Sequence, residues 1–371
     1  MSEVDITTLL QEEATQNQYI FNFVLMNLVF IVAYFNRNRK TPIFFTWLLI
    51  LVFVLYAFWD TDYFSFRYIF HTSLEGFRDP LYYYLSFISF DSYTIFRLLI
   101  WGTGLLLFHK TAKRFNLNSN YTAYIFVIFF LLTFSYARVS LGMALYFYGL
   151  SYLLKPNQQN QFGSYVWGLI FIGCSYFGHR SLMALILLTP IVFIKPNKKN
   201  LILILTFGVL ASGLAATLLS DIISGTLKLD NDFGGAGEAA EQYANIEMEM
   251  EYNWKFTLMR YLRFSSFYVA IAYAAWKSIF SPYSKVISIE IKRLIVLSLC
   301  IMIFAVSFMV LPSWGAEIIG YRYLYMLGIP TCIIISYLGS KNIVSTRTIQ
   351  MLLLLAFLYS EGFIFGKILS F

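Results

Sequence analysis

At 371 residues, with 59% hydrophobic and only 13% charged side chains, the chain cannot clothe a water-soluble domain, whose surface calls for roughly 25% charged residues. A net charge of +7 on so apolar a chain is not a nucleic-acid footprint; it reports basic residues in short loops. Cys174, Cys300 and Cys332 lie inside apolar runs with no CxxC or His-rich spacing, so neither a disulfide framework nor a zinc site is readable and metal is not expected.

The chain opens on Glu3, Asp5, Glu12 and Glu13 rather than on a basic segment, which predicts no cleaved leader. Apolar runs follow at 19–35, 42–59, 92–108, 122–136, 139–154, 165–177, 181–194, 200–219, 257–276, 294–311, 323–339 and 348–366. Set against the roughly 20 residues that a bilayer crossing needs, they predict an all-α polytopic transmembrane bundle of about 12 helices. The stretches 122–154 and 165–194 are too long for one crossing and carry charge at mid-length, at Arg138 and at His179-Arg180. Each is therefore read as a helical hairpin with the charge in its turn. No separate soluble domain fits, so 1–371 reads as a single integral membrane domain. Its two external loops, 60–91 and 220–256, are expected to contain short helices. Pro80 followed by LYYYLSFI suits one of these, lying in the interface. The acidic second loop carries Gly234-Gly235-Ala236-Gly237, which lacks the Gly-Lys-Ser/Thr ending of a phosphate-binding loop and reads as a hinge.

Orientation follows from the basic residues. With both termini outside, the clusters Arg37-Arg39-Lys40, Lys110-Lys113-Arg114, Lys155, Lys195-Lys198-Lys199, Lys277-Lys285-Lys292-Arg293 and Lys341-Arg347 are all cytoplasmic. Glu290 is then the one acid of 20 on that side. The expected location is the bacterial inner membrane, with any active site facing the exterior.

In this topology Arg138, Arg180, Arg260, Arg263 and Arg322 all fall at external helix ends, and Arg260 and Arg263 share a helix face. Each alone reads equally well as a headgroup anchor. Five guanidinium groups at one depth would repel each other without an anion among them, and a diphosphate matches the Arg fork. Arg78 joins them from the first external loop. A carboxylate or imidazole nearby would serve as a general base: Glu75, which lies three residues from Arg78, then His179, then Asp62. Pairing of these acids with Arg67 or Arg78 is the plainer alternative, as is a structural, hydrogen-bonded His179.

The segment DYFSFRYIFHTSLEGFRDPLYYYL, with Asp62-Tyr63 and Glu75-Gly76, resembles the early external motif of the EpsG family of Wzy-type polysaccharide polymerases. SYARVSLGMAL at Arg138, SYFGHRSLMALILL at His179-Ser181 and GYRYLYM at Arg322 resemble later motifs of the same family, in order and spacing. Gly178 stands where the family pattern has Phe, and Gly142 takes a small-residue place. The resemblance implies polymerisation of oligosaccharide repeat units carried on polyprenyl diphosphate, at the external face and without a cofactor. The implied partners are lipid-linked donor and acceptor, membrane lipid, a chain-length regulator and a flippase. An O-antigen ligase-like glycosyl transferase, a membrane acyltransferase and a polysaccharide transporter or flippase are the competing readings. Against a transporter, most polar residues sit toward one face rather than at the bilayer midplane.

Overall fold

The structure is a computed structural model that describes residues 14–41, 44–58, 61–72, 79–131, 134, 139–223, 254–309, 320 and 322–369. Among the described residues the protein is all-α and contains no β-strand. The chain divides into two compact units, Met1–Thr189 with Gly328–Phe371, and Pro190–Leu327.

The first unit contains α1 (Gln16–Asn36), α2 (Phe44–Leu55), α3 (Thr61–Thr72), α4 (Pro80–Ile88), α5 (Tyr93–Arg97) and α6 (Thr103–Arg114). It continues with α7 (Ser119–Phe129), α8 (Ser140–Leu154), α9 (Gln161–Gly178) and α10 (Met183–Leu188), and closes with α14 (Gly328–Ser340) and α15 (Thr346–Leu369). Helix starts follow their capping chemistry. Thr15 and Gln18 form a reciprocal capping box before α1, and the Asn118 side chain accepts from the Asn120 and Tyr121 amides at α7. Pro80 opens α4 at the position where a missing amide costs nothing. The expected short helix after Pro80 is therefore present, and α3 is a second helix in the segment read as loop 60–91.

α7 is the centre of this unit, buried along most of its length and packed by α1, α14 and α15. Its Phe126 meets Phe108 of α6 at 4.9 Å and Phe134 at 5.4 Å between ring centres. α5 and α6 are one rod, joined through a π turn at Leu98–Gly102. The reversal from α4 into α5 uses two consecutive left-handed residues, Phe90 (φ 51°) and Asp91 (φ 56°), a conformation that non-glycine residues adopt at a cost of about 1–2 kcal/mol each.

The second unit contains α11 (Lys198–Ile223), α12 (Trp254–Ala275) and α13 (Ile289–Met309). α11 and α12 both pack on α13, and Ser212 of α11 meets Ser307 of α13 Oγ to Oγ at 2.9 Å. The acidic segment between α11 and α12, with its glycines, lies outside the described residues.

Five helices among the described residues are long and apolar enough to cross a membrane: Gln16–Asn36, Lys198–Ala215, Ile289–Met309, Arg322–Ser340 and Arg347–Gly366. Phe44–Leu55, Ser140–Leu154 and Arg180–Phe193 are apolar but shorter. Much of the outer surface is Leu, Ile, Val and Phe, as lipid solvation requires.

Candidate active site

Three chain segments of the first unit converge at the C-terminal end of α9. α9 stops at Gly178 because His179 turns extended (φ −169°, ψ 125°), and a 3-10 turn, Arg180–Leu182, leads into α10. α8 crosses α9 so closely that a Cβ on Gly178 would lie 2.8 Å from the Gly142 Cα, and one on Gly142 would lie 3.1 Å from the Ser175 carbonyl oxygen. The pair Gly149 and Gly168 repeats this contact further along, where a Cβ on Gly149 would sit 2.6 Å from the Gly168 oxygen. α4 comes against the same place: Leu81, in its first turn, reaches within 3.6 Å of where a Gly178 Cβ would be. The N-terminal ends of α4 and α8 thus both meet the His179 turn. At α4 the first position is Pro80 and the Tyr82 and Tyr83 amides donate to the Asp79 carbonyl, and the first turn of α8 is buried, so these two helix starts shape the turn by packing.

The turn is held rigidly. The buried Tyr146 hydroxyl of α8 donates to the Leu185 carbonyl or shares its proton with Thr189, each at 3.0 Å, and Leu182 is fully buried. The Ser181 amide donates to His179 Nδ1 at 3.2 Å, and Ser181 Oγ lies 2.6 Å from the same nitrogen. A backbone N–H can only donate, so Nδ1 carries a lone pair and the neutral ring keeps its proton on Nε2. His179 is half-buried and Arg180 exposed. A half-buried imidazole and an exposed guanidinium, adjacent in sequence at one turn, are side chains suited to an anion.

The remaining sequence candidates distribute as follows. Asp62 lies in the first turn of α3. Glu75, Arg78 and Arg138 lie outside the described residues; Arg78 precedes the Asp79-Pro80 start of α4 by one residue, and Arg138 precedes the start of α8 by two. Arg260 and Arg263 stand three apart on α12 of the second unit. Arg322, also of that unit, is exposed beside Tyr323, whose ring lies 4.8 Å from Phe304 and 6.5 Å from Phe308 on α13. Gly320 packs on the same helix, where a Cβ would meet the Ala305 carbonyl oxygen at 2.6 Å, so the GYRYLYM segment is fixed by Gly320 and Tyr323. Among the described residues no three His, Cys, Asp or Glu side chains gather as a metal would need.

Sequence reasoning noted Arg97, with Asp91, as the nearest approach to intramembrane charge but gave it no role, and passed over Asn22; both Arg97 and Asn22 are buried. The signal was a lone arginine five residues inside an apolar run, which is costly in a membrane unless specifically satisfied.

These features define a polytopic helical membrane protein with an exposed arginine beside a half-buried histidine at a turn of its first unit. The model of the EpsG family matches residues 43–370, nearly the whole chain, and the protein belongs to that family. Membership makes it, at that level of description, a polysaccharide polymerase of the glycosyltransferase type. No curated protein and no solved structure gives a match.

Proposed function

We propose that this protein joins lipid-linked oligosaccharide repeat units at the external face of the inner membrane. A hydroxyl of the acceptor unit attacks the anomeric carbon of the glycan held on polyprenyl diphosphate. The new C–O bond forms as the bond to the diphosphate breaks, the diphosphate leaves with the electron pair, and the hydroxyl proton passes to a base. Charge develops on the leaving oxygens, so catalysis calls for fixed donors aimed at them. The observation that carries the reading is the His179 turn, where His179 and the exposed Arg180 follow the end of α9 against which the starts of α4 and α8 pack. Arg138 and Arg78, next to those two helix starts in sequence, add to this set, and Arg260, Arg263 and Arg322 are the diphosphate-binding candidates of the second unit.

The hydrogen bond from Ser181 favours a particular division of labour. With its Nδ1 lone pair engaged, a neutral His179 offers a donor rather than an acceptor, so Glu75 is the base, with Asp62 the alternative carboxylate. His179→Gln keeps an N–H near the Nε2 position and should retain part of the activity, whereas His179→Ala and Glu75→Gln should abolish polymer. Equal loss in His179→Gln and His179→Ala would instead make His179 the base.

Deletion followed by analysis of surface glycan length tests the reaction itself. A polymerase mutant leaves single capped repeat units. Long chains left on lipid would identify a ligase, and absence of any external glycan a flippase. Orientation is tested by thiol labelling: cysteines at Ser2 and Asp232 should react with an impermeant reagent and one at Asn197 should not. Labelling at 197 alone would invert the topology and remove the external site.

A further inference from the structure

α2 ends on the buried Val54 and the half-buried Leu55, and its last carbonyls need partners. Two side chains take that role. Arg97 donates from Nη2 to the Val54 oxygen at 2.7 Å and from Nε to the Leu55 oxygen at 2.9 Å. Asn22 of α1 donates to the next carbonyl, Tyr56, at 2.6 Å. Arg97 is 1% exposed and Asn22 0%, so neither is a snorkelling surface residue. The charge is balanced by the negative end of the α2 dipole and by aromatic faces: the guanidinium carbon lies 4.2 Å from the Trp101 ring centre and 4.6 Å from that of Tyr63.

The same cluster grips the start of α3. Tyr93, one turn before Arg97, donates its hydroxyl to the Tyr63 carbonyl at 2.6 Å and touches Arg97 Nη1 at 3.5 Å. The Tyr63 ring packs against Phe58 at 5.0 Å and Tyr93 at 5.5 Å. One buried fork thus ties the end of α2, the root of α5 and the first turn of α3, the turn that contains Asp62 and begins the segment leading to Glu75. A charge buried for stability alone would be replaceable by an apolar side chain of similar volume, because its desolvation offsets most of what its bonds return. Two carbonyls at fixed spacing need a planar fork, which lysine cannot supply.

We propose that Arg97 is a positioning residue that fixes the first turn of α3, the turn that contains Asp62, against the end of α2 and the start of α5. The link to catalysis rests on the transfer reaction proposed above; the link to geometry does not.

The test uses the full chain in nanodiscs with Cys174, Cys300 and Cys332 replaced by Ala, and compares Arg97→Met, Arg97→Lys and Tyr93→Phe. The first readout is the labelling rate of a cysteine introduced at Asp62, measured with an impermeant maleimide. The second, without that cysteine, is chain elongation on lipid-linked repeat units. Arg97→Met should change the labelling rate several-fold and lower kcat by about tenfold or more with KM within about twofold, since displacement of a catalytic group by about 1 Å costs on the order of a hundredfold. Arg97→Lys should fall between Arg97→Met and wild type. Tyr93→Phe, which removes the hydroxyl that bonds the Tyr63 carbonyl and meets Arg97 Nη1, should shift both readouts in the same direction, and it decides the matter if Arg97→Met does not accumulate. Unchanged labelling and kcat in folded Arg97→Met or, failing that, in Tyr93→Phe would overturn the proposal. Failure of the wild-type chain to elongate repeat units would sink the proposed reaction instead, and the labelling rates would still decide the positioning role.

Discussion

The α8–α9 hairpin and α11 are written in nearly the same language, apolar helices interrupted by glycine and serine, yet they do opposite things. In the hairpin, Gly142 presses on Gly178 and Gly149 on Gly168, and α8 is buried for most of its length. In α11, a Cβ on Gly208 or Gly213 would meet nothing within 4 Å, and Phe207, Leu210 and Leu214 are exposed. α9 contains its own control: Gly163, Gly168, Gly173 and Gly178 recur at regular spacing, and Gly173 faces open space. A helical glycine costs about 1 kcal/mol relative to alanine wherever it stands. That cost is offset by close backbone approach at Gly178 and has no visible offset at Gly173, Gly208 or Gly213. The hairpin's glycines set how near α8 comes to the His179 turn.

Substitution at the glycine contact separates the two regions most sharply. Gly178→Phe cannot fit against the Gly142 backbone and should abolish both folded protein and polymer. Gly178→Ala should cost about 1–3 kcal/mol, read as a lowered thermal midpoint in detergent. An unchanged midpoint in Gly178→Ala would mean that the close crossing is not needed.

Next in size is the cationic set. Arg180→Ala should lower elongation by about a hundredfold, the usual effect of removing one fixed donor to a developing anion, at normal protein level. Arg322→Ala and Arg138→Ala should act similarly, with Lys a poor replacement wherever the fork is used. Full-length polymer from all three alanine variants would return these arginines to headgroup anchoring.

A smaller effect is expected at His109 of α6. The Trp47 indole donates to Ser119 Oγ at 3.1 Å, which leaves the Ser119 proton for His109 Nδ1 at 3.2 Å. Burial, and then Lys113, hold the His109 pKa below its ordinary value. The unfolded chain therefore takes up the proton first, so the stability from neutral His109 is full above about pH 6.5 and is lost as pH falls toward the lower folded value. The thermal midpoint should drop with acidification below that point, and His109→Gln should flatten the dependence; identical profiles would remove His109 from the account. Smallest of all, Gly173→Ala, Gly208→Ala and Gly213→Ala should leave polymer length intact and raise stability by at most about 1 kcal/mol each. Damage from any of them would reveal a partner surface and collapse the contrast between the two regions.

Hydropathy and loop charge alone made this chain a polytopic helical membrane protein, because lipid leaves a backbone few ways to satisfy its own hydrogen bonds. The break at His179, the helix after Pro80 and the family motifs were equally legible, since each is a local departure from an apolar run. Tertiary structure decided the rest. The end of α2 is completed by Arg97 and Asn22, 42 and 34 residues away from the carbonyls they bond, and no local pattern announces such a pairing. Nor does it announce which of several glycines touches another helix, or that the Ser181 amide occupies the His179 lone pair and so makes that ring a donor. Sequence set what each segment is by its interaction with lipid and with its own neighbours; contacts between distant segments set which buried polar groups are satisfied, and by what.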